Sequence, residues 1–316
     1  MNILGPDELI FGVDDIESCT QYLVDYGLKP LDCSASGGRF EALDGTAVVL
    51  RRHDDPALPA DMDTQNKLRE TVYGVADAST LSAIREELSR DRDARMDVNG
   101  VLHSADDMGF AIAFQVTCRR VLSLPSETVN APGSAPQRGV NQTAVRTDLP
   151  ALPRSLSHVV YFVPDARKAE AFYVERLGFT CTDRFLGAGP FLRPAGTPDH
   201  HTLFLIETPP FMKGCEHFTF HLGGPTELMV AGTRFVEKGY QSFWGPGRHQ
   251  FGSNWFWYFN SPLGCHVEYD ADMDVHDATW VPREAALSAD ASQLFLFSRQ
   301  EKWAPGGNAA NAEAAH

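Results

Sequence analysis

Two distant stretches of this chain are written on the same plan, and that repetition restricts the fold more than any other feature. Val13-Asp14-Asp15, followed by Tyr22 and Gly27, is echoed by Val163-Pro164-Asp165, followed by Tyr173 and Gly178. Each reads as the end of a strand, an aspartate cap, a helix and a glycine stop. Val72-Tyr73-Gly74-Val75 ahead of Leu81 is answered by Phe218-Thr219-Phe220-His221-Leu222 ahead of Leu228. Met108-Gly109 before Phe110-Ala111-Ile112-Ala113 is answered by Leu263-Gly264 before Cys265-His266-Val267-Glu268. The chain therefore holds four copies of a strand–helix–multistrand unit, two per half. The fold class that follows is α+β, with four βαβββ modules paired into two similar domains. A length of 316 residues suits two such domains, each burying its own core.

Taken in order, Leu9 to Val13 reads as a strand and Ile16 to Tyr26 as a helix stopped at Gly27. Phe40 to Leu50 reads as a hairpin turning at Asp44-Gly45. A strand at Thr71 to Val75 precedes a helix at Ser79 to Arg90, with Leu81, Ile84 and Leu88 at helical spacing. Val101 to His103 and Phe110 to Val116 are the next strands. The Ser, Pro, Asn, Gln and Thr content then rises from Ser123 to Pro153, as in a connection between domains. Beyond it the pattern restarts. Val159 to Val163 is a strand, and Asp165 caps a helix running to Arg176. Thr202 to Glu207 and Phe218 to Leu222 are strands, Thr226 to Lys238 is a helix, and Trp255 to Phe259 and Cys265 to Tyr269 close the unit. The expected domains are 1–122, a linker at 123–153, and 154–300. A frayed tail from 301 to 316 contains Trp303-Ala304-Pro305-Gly306-Gly307.

The formal net charge of -15 argues against nucleic acid or an anionic membrane surface as partner. No apolar run approaches the ~20 residues of a spanning helix. The first eight residues lack a basic region followed by an apolar one, so no secretory signal is read there. The six cysteines, Cys19, Cys33, Cys118, Cys181, Cys215 and Cys265, show no CxxC and no framework spacing. Reduced thiols and a cytoplasmic location are expected.

The densest chemistry lies between residues 156 and 269. His158 stands near the start of one strand, His217 near the start of another and Glu268 near the end of a third. Two imidazoles and one carboxylate from three strands make a facial triad, a ligand set that leaves open positions and suits Fe(II). In the register of the repeat, Glu8, Glu70 and Ala113 take the matching places of the first half, which therefore lacks the set. One metal site per chain is expected, with the first domain vestigial and metal-free. His221 and His266 read as supports rather than ligands. His53, His103 and His276 read as surface residues. Trp255, Trp257, Phe259, Phe191 and Trp244 read mainly as core, with one or two lining an aromatic pocket.

Ser157-His158-Val159 with its capped helix, Asp199-His200-His201-Thr202, Glu216-His217-Phe218, Gly247-Arg248-His249, Tyr258, and Ser261-Pro262-X-Gly264 leading to Val267-Glu268-Tyr269 form an ordered set. That set resembles the type I extradiol ring-cleaving dioxygenases of the vicinal-oxygen-chelate superfamily. The resemblance covers nearly the whole chain in architecture and residues 156 to 285 in motifs. It implies the vicinal-oxygen-chelate fold, Fe(II) as cofactor with Mn(II) in some members, a small aromatic diol and O2 as substrates, and a homo-oligomer. It also implies that His158, His217 and Glu268 hold the metal, that His201 is the acid/base, and that His249 and Tyr258 hydrogen-bond substrate and oxygen species. His200 and His201 are neighbours, so on a strand at most one faces the metal; His200 takes the role if the register shifts. The chain departs from the family after the Arg-His pair. Gln250-Phe251-Gly252 stands where polar or acidic residues are common, which implies an unusual pocket lip. Two other readings fit the same fold: a metal-dependent isomerase or transferase using the ion as Lewis acid, and a metal-free small-molecule-binding protein.

Overall fold

Alternation of side chains along the strands sets the layers of this molecule. The computed structural model describes residues 1–145 and 148–300; the tail expected from residue 301 onward lies outside the described residues. The first half runs β1 (Ile3–Val13), α1 (Ile16–Tyr26), β2 (Lys29–Ser34), β3 (Gly37–Glu41), β4 (Ala47–Arg52), β5 (Leu68–Val75), α2 (Ala78–Leu88), β6 (Arg95–Met96), β7 (Leu102–Ala105) and β8 (Ala111–Val116). The second half begins with β9 (Ser155–Val163) and α3 (Ala166–Ala171), which continues as a π-helical turn over Phe172–Arg176. It goes on through β10 (Thr180–Leu186), β11 (Gly189–Arg193), β12 (Leu203–Glu207), β13 (Gly214–His221) and α4 (Pro225–Glu237). β14 (Ser242–His249), β15 (Trp255–Asn260), β16 (His266–Ala271), β17 (Arg283–Ala286), the short α5 (Ala289–Ser292) and β18 (Gln293–Leu296) complete it. Among the described residues, 117 to 154 contain no helix or strand.

The four modules are explicit in the pairing. β1 runs parallel to β4, β5 to β8, β9 to β12 and β13 to β16, so the first and last strands of each module lie side by side. Antiparallel pairing of β1 with β5, and of β9 with β13, joins the modules two by two. The echoing aspartates do the same work in both halves. Asp15 accepts the Ser18 amide at 2.9 Å and Asp165 the Lys168 amide at 2.8 Å, each cap contributing about 1 kcal/mol. Gly27 and Gly178 end their helices at φ +114° and +75°, where a side chain would be strained.

One face of each sheet packs on helices and on the other domain. Leu9, Phe11, Val13, Tyr73, Val159, Tyr161, Phe218, Phe220, Val267 and Tyr269 belong to a shared core. Tyr22 and Tyr26 of α1 pack edge-on against Phe235 of α4. The intervening residues, period two out of phase, line the opposite, concave face. Tyr26 ties the halves together. Its ring stacks on Tyr269 at 4.1 Å, its hydroxyl donates to the Glu268 carbonyl at 2.5 Å, and the Tyr269 hydroxyl donates to the Tyr26 carbonyl at 2.6 Å. The first domain thus braces the strand that carries Glu268.

The ten-stranded sheet has the order β17-β10-β11-β12-β9-β13-β16-β15-β14-β18. Its two outermost strands, β17 and β18, are separated by a connection that spans at most about 25 Å. The sheet must therefore curl until its edges nearly meet, which makes its inner face a cavity. None of the described helices is long and apolar enough to cross a membrane. All six cysteines are free.

Candidate metal centre

The three central strands of that curled sheet place their polar residues on the concave face. Pairing puts Thr219 opposite both His158 and Glu268, with His217 two residues earlier on β13. The first half has the same register: Val72 lies opposite both Glu8 and Ala113, with Glu70 two residues earlier. The donor atoms of the second half converge. His158 Nε2 lies 3.3 Å and His217 Nε2 3.5 Å from Glu268 Oε2, and the two nitrogens are 3.4 Å apart. Donors about 2.1 Å from one ion, at angles of roughly 90–110°, lie about 3.0–3.4 Å apart, so this triangle fits a single divalent cation. Among the described residues it is the one such cluster.

The far sides of both imidazoles fix their tautomers. His158 Nδ1 lies 2.8 Å from Ser157 Oγ, which in turn donates to Asp270 at 3.2 Å. His217 Nδ1 is bonded to Glu216, whose other oxygen is 2.8 Å from His266 Nδ1. Each ring therefore donates through Nδ1 and turns Nε2 to the triangle, where the Thr219 hydroxyl lies between His158 Nε2, at 2.9 Å, and Glu268 Oε2. Burial alone would raise the Glu216 carboxyl, but the His217 and His266 imidazoles hold it down to about 2. Burial would also raise Glu268, yet His158, His249 and His217 keep it below the usual carboxylate range, hence anionic. Its Oε2 accepts from Thr219 Oγ1 at 2.5 Å, while Oε1 is buried without a hydrogen-bond partner. A buried, unpartnered carboxylate oxygen beside two imidazole Nε2 atoms is a donor set that suits a cation.

The triangle forms the floor of a cavity of about 480 Å³. His201, His249 and Tyr258 line it together with Asn254 and Ser292, and its walls are Val160, Phe185, Phe191, Phe204, Ile206 and Phe251. Among the described residues, no lysine or arginine lines it. Phe191 stacks on Phe204 at 3.9 Å. His249 Nδ1 donates to the Ser292 carbonyl at 3.1 Å, leaving Nε2 to accept from the Tyr258 hydroxyl at 3.3 Å. Burial raises the Tyr258 phenol well above its ordinary range, so it keeps its proton. Burial, then the His158 and His200 imidazoles, push His201 well below the usual histidine range, so it is neutral.

Several sequence expectations change here. His200 and His201 are not strand neighbours on opposite faces. They sit in the turn before β12, both buried, and bond to one another at 2.9 Å. His201 enters the cavity and His200 stands behind it. His103 is half-buried and bonds Glu70 at 2.8 Å across strands brought together only by the fold. His276 is half-buried and stacks on Trp280 at 3.9 Å. His53 is exposed and pairs with Asp14, as a surface residue does. His221 bonds Asp270 and His266 bonds Glu216, so both support the groups behind the triangle. Phe191 and Trp244 line the cavity, whereas Trp257 and Phe259 are core. The altered lip is apolar: Phe251 packs on Phe185 at 4.9 Å. Sequence reading missed Asn254, whose buried amide has neither its oxygen nor its nitrogen bonded. It also missed Asp183 and the segment from Arg283 to Leu296 that caps the sheet edges. The unusual Gly252-Ser253-Asn254 run after the aromatic lip was the available hint.

Residues 155–269 match the model of the Glyoxalase/Bleomycin resistance protein/Dioxygenase superfamily. Metapyrocatechase 2 of Cupriavidus necator is 35% identical over 48% of this chain, and that match spans 45% of the relative, less than half its length. Biphenyl-2,3-diol 1,2-dioxygenase of Paraburkholderia xenovorans (strain LB400) is 28% identical over 66% of this chain and 70% of its own. The Mn(II)-bound glyoxalase from Novosphingobium aromaticivorans shares the fold, with a TM-score of 0.72, 20% identity, and coverage of 92% of this chain and 90% of that one. The segment that carries the whole triad is thus similar to the Glyoxalase/Bleomycin resistance protein/Dioxygenase superfamily.

Proposed function

We propose that the second domain is an extradiol dioxygenase that holds Fe(II) and opens a catechol-type ring next to its two hydroxyls. One observation carries the reading: two imidazole nitrogens and one buried carboxylate converge at a cavity into which His201, His249 and Tyr258 also project. Names of relatives that act on catechols and biphenyl diols support it. His158, His217 and Glu268 would hold the ion on one face. Fe(II), or Mn(II) in its place, supplies open positions for a diol and O2 and the redox link between them.

The chain's own residues do the rest. Neutral His201 takes a proton from a substrate hydroxyl and returns it later, because an uncharged imidazole can accept and an imidazolium can donate. Tyr258 keeps its hydroxyl hydrogen and, with His249, holds charge that develops on oxygen. The unbonded Asn254 amide offers a hydrogen bond to a polar group of the substrate. The phenylalanine walls exclude water and favour a flat, apolar ring system. With no lysine or arginine among the described lining residues, ring substituents are uncharged, since a carboxylate there would be buried unpaired. The free thiols suit a cytoplasmic setting.

The test is anaerobic reconstitution with Fe(II), then a panel of catechols differing in substituent size and charge. Uptake of O2 is followed by electrode and ring opening by a new visible band. Catechols with an apolar substituent should turn over and carboxylated ones should not. Full metal occupancy without O2 uptake on any catechol would overturn the reading and leave the non-oxidative isomerase or transferase chemistry.

A further inference from the structure

Behind His201 runs a chain of hydrogen bonds that leads away from the metal triangle. His201 Nδ1 lies 2.9 Å from His200 Nδ1, and His200 Nε2 lies 2.8 Å from Asp183 Oδ2. Asp183 and His200 are fully buried and His201 almost so. Asp183 is held by Arg283, whose amide and Nε donate to Oδ1 at 2.8 and 3.1 Å and whose Nη2 donates to Oδ2 at 2.5 Å. Burial alone would raise this carboxyl, but His200 and Arg283 bring it below the usual range. It is a carboxylate that only accepts.

For an uncharged His200 the direction of every bond then follows. An accepting Asp183 requires His200 Nε2 to donate. A neutral imidazole that donates at Nε2 has a bare Nδ1. His200 Nδ1 therefore accepts, and His201 Nδ1 must be the donor. That leaves His201 Nε2 without a hydrogen, and it takes no protein partner among the described residues. Two further details serve this arrangement. The missing Cβ of Gly252 would lie 3.1 Å from His200 Nδ1, so the glycine admits the second imidazole. The π-stack of Phe191 on Phe204 closes the other side, with Phe191 touching both histidines.

We propose that Asp183 and His200 are positioning residues that fix His201 in the Nδ1–H tautomer, presenting its bare Nε2 as the base. The inference deepens the dioxygenase reading and, for its catalytic consequence, rests on it. The proton of a substrate hydroxyl passes to His201 Nε2, and the imidazolium so formed keeps its Nδ1–H bond to His200. The positive charge is then stabilised through His200 by the Asp183 carboxylate. The logic is that of an Asp–His pair behind a nucleophile, with one imidazole interposed.

The experiment uses the full chain labelled with 15N-histidine and loaded with one Zn(II), a diamagnetic probe for the site. Long-range 1H–15N correlation separates Nδ1–H from Nε2–H tautomers. Wild-type His201 should be Nδ1–H. Asp183→Asn keeps its oxygen on the Arg283 amide and Nε, while its NH2 faces His200 and displaces Arg283 Nη2, so each bond in the chain reverses and His201 becomes Nε2–H. On the Fe(II) form, that wrong tautomer should lower kcat by about 10³–10⁴-fold, with KM unchanged to within about threefold. His200→Gln can still accept from His201 and donate to Asp183, so it should keep the Nδ1–H tautomer and most of kcat. His200→Phe can do neither and should lose both. Should Asp183→Asn fail to fold, the two His200 variants carry the test. A wild-type His201 found as Nε2–H, or equal effects of His200→Gln and His200→Phe on its tautomer, would overturn the relay. Correct tautomers in a protein that opens no catechol ring would support the relay and sink the dioxygenase reading instead.

Discussion

Replacing Glu268 with glutamine isolates the charge of the metal centre from its shape. The side chain is fully buried, so the near-isosteric amide is held in the same place. Its oxygen can stay at the Oε2 position, accepting from Thr219 and facing the two imidazoles. Its NH2 then falls where Oε1 lies, 3.7 Å from His249 Nε2 and beyond hydrogen-bond reach of it. The fold should survive, and the metal-free variant should melt no lower than metal-free wild type. The loss is in cation binding, because Glu268 is the only anion of the triangle. Removing one member of a buried charge pair costs about 3–5 kcal/mol, and the ion and Glu268 form such a pair. That energy is about 10²–10⁴-fold in Kd. Anaerobic Fe(II) titration by calorimetry, with iron measured after gel filtration, reads it directly. A Glu268→Gln protein that retains about one iron per chain with affinity within roughly threefold of wild type would refute the assignment of the triad.

Other outcomes follow from the same geometry. Iron should saturate at about one per chain, because in the first domain Glu8 is engaged by Arg39 at 2.5 Å, Glu70 by His103 at 2.8 Å, and Ala113 offers no donor; elemental analysis giving two would end the idea of a metal-free first half. His201→Gln should leave metal content intact and slow single-turnover ring opening by about 10²–10⁴-fold, and an unchanged rate would move the acid/base role to His249 or Tyr258. His221 is opposed by burial but raised to about 10 by Asp270 and Asp199. Since that lies above the ordinary ~6.5, the pair's stabilisation is complete below about pH 6.5 and lost as pH rises through about 10. Denaturant midpoints measured at roughly pH 7 and pH 10.5 should therefore fall more for wild type than for His221→Gln, and parallel curves would show that the pair does not stabilise the fold.

Local chemistry made much of this protein readable. The echoing Asp caps and Gly stops marked the first module of each half and the echoing strands the second, and period two along β9, β13 and β16 placed His158, His217 and Glu268 on one face, with Val159, Phe218, Val267 and Tyr269 on the other. The register of the repeat even located Glu8, Glu70 and Ala113 as their counterparts, because parallel first and last strands pair alike in every module. These features depend on near neighbours and on a strand's alternation, which a sequence carries directly.

What the tertiary structure decided lies in contacts between residues far apart in the chain. Asp183 meets His200 through a strand and a turn whose relative placement no local pattern encodes. Ser292 bonds His249 only because the segment from Arg283 to Leu296 reaches both edges of a curled sheet. Two adjacent histidines that strand alternation would have separated are joined instead, because they sit in a turn where alternation does not hold. Sequence alternation aimed the three candidate donors, whereas tertiary hydrogen bonds set the tautomers of the imidazoles around them.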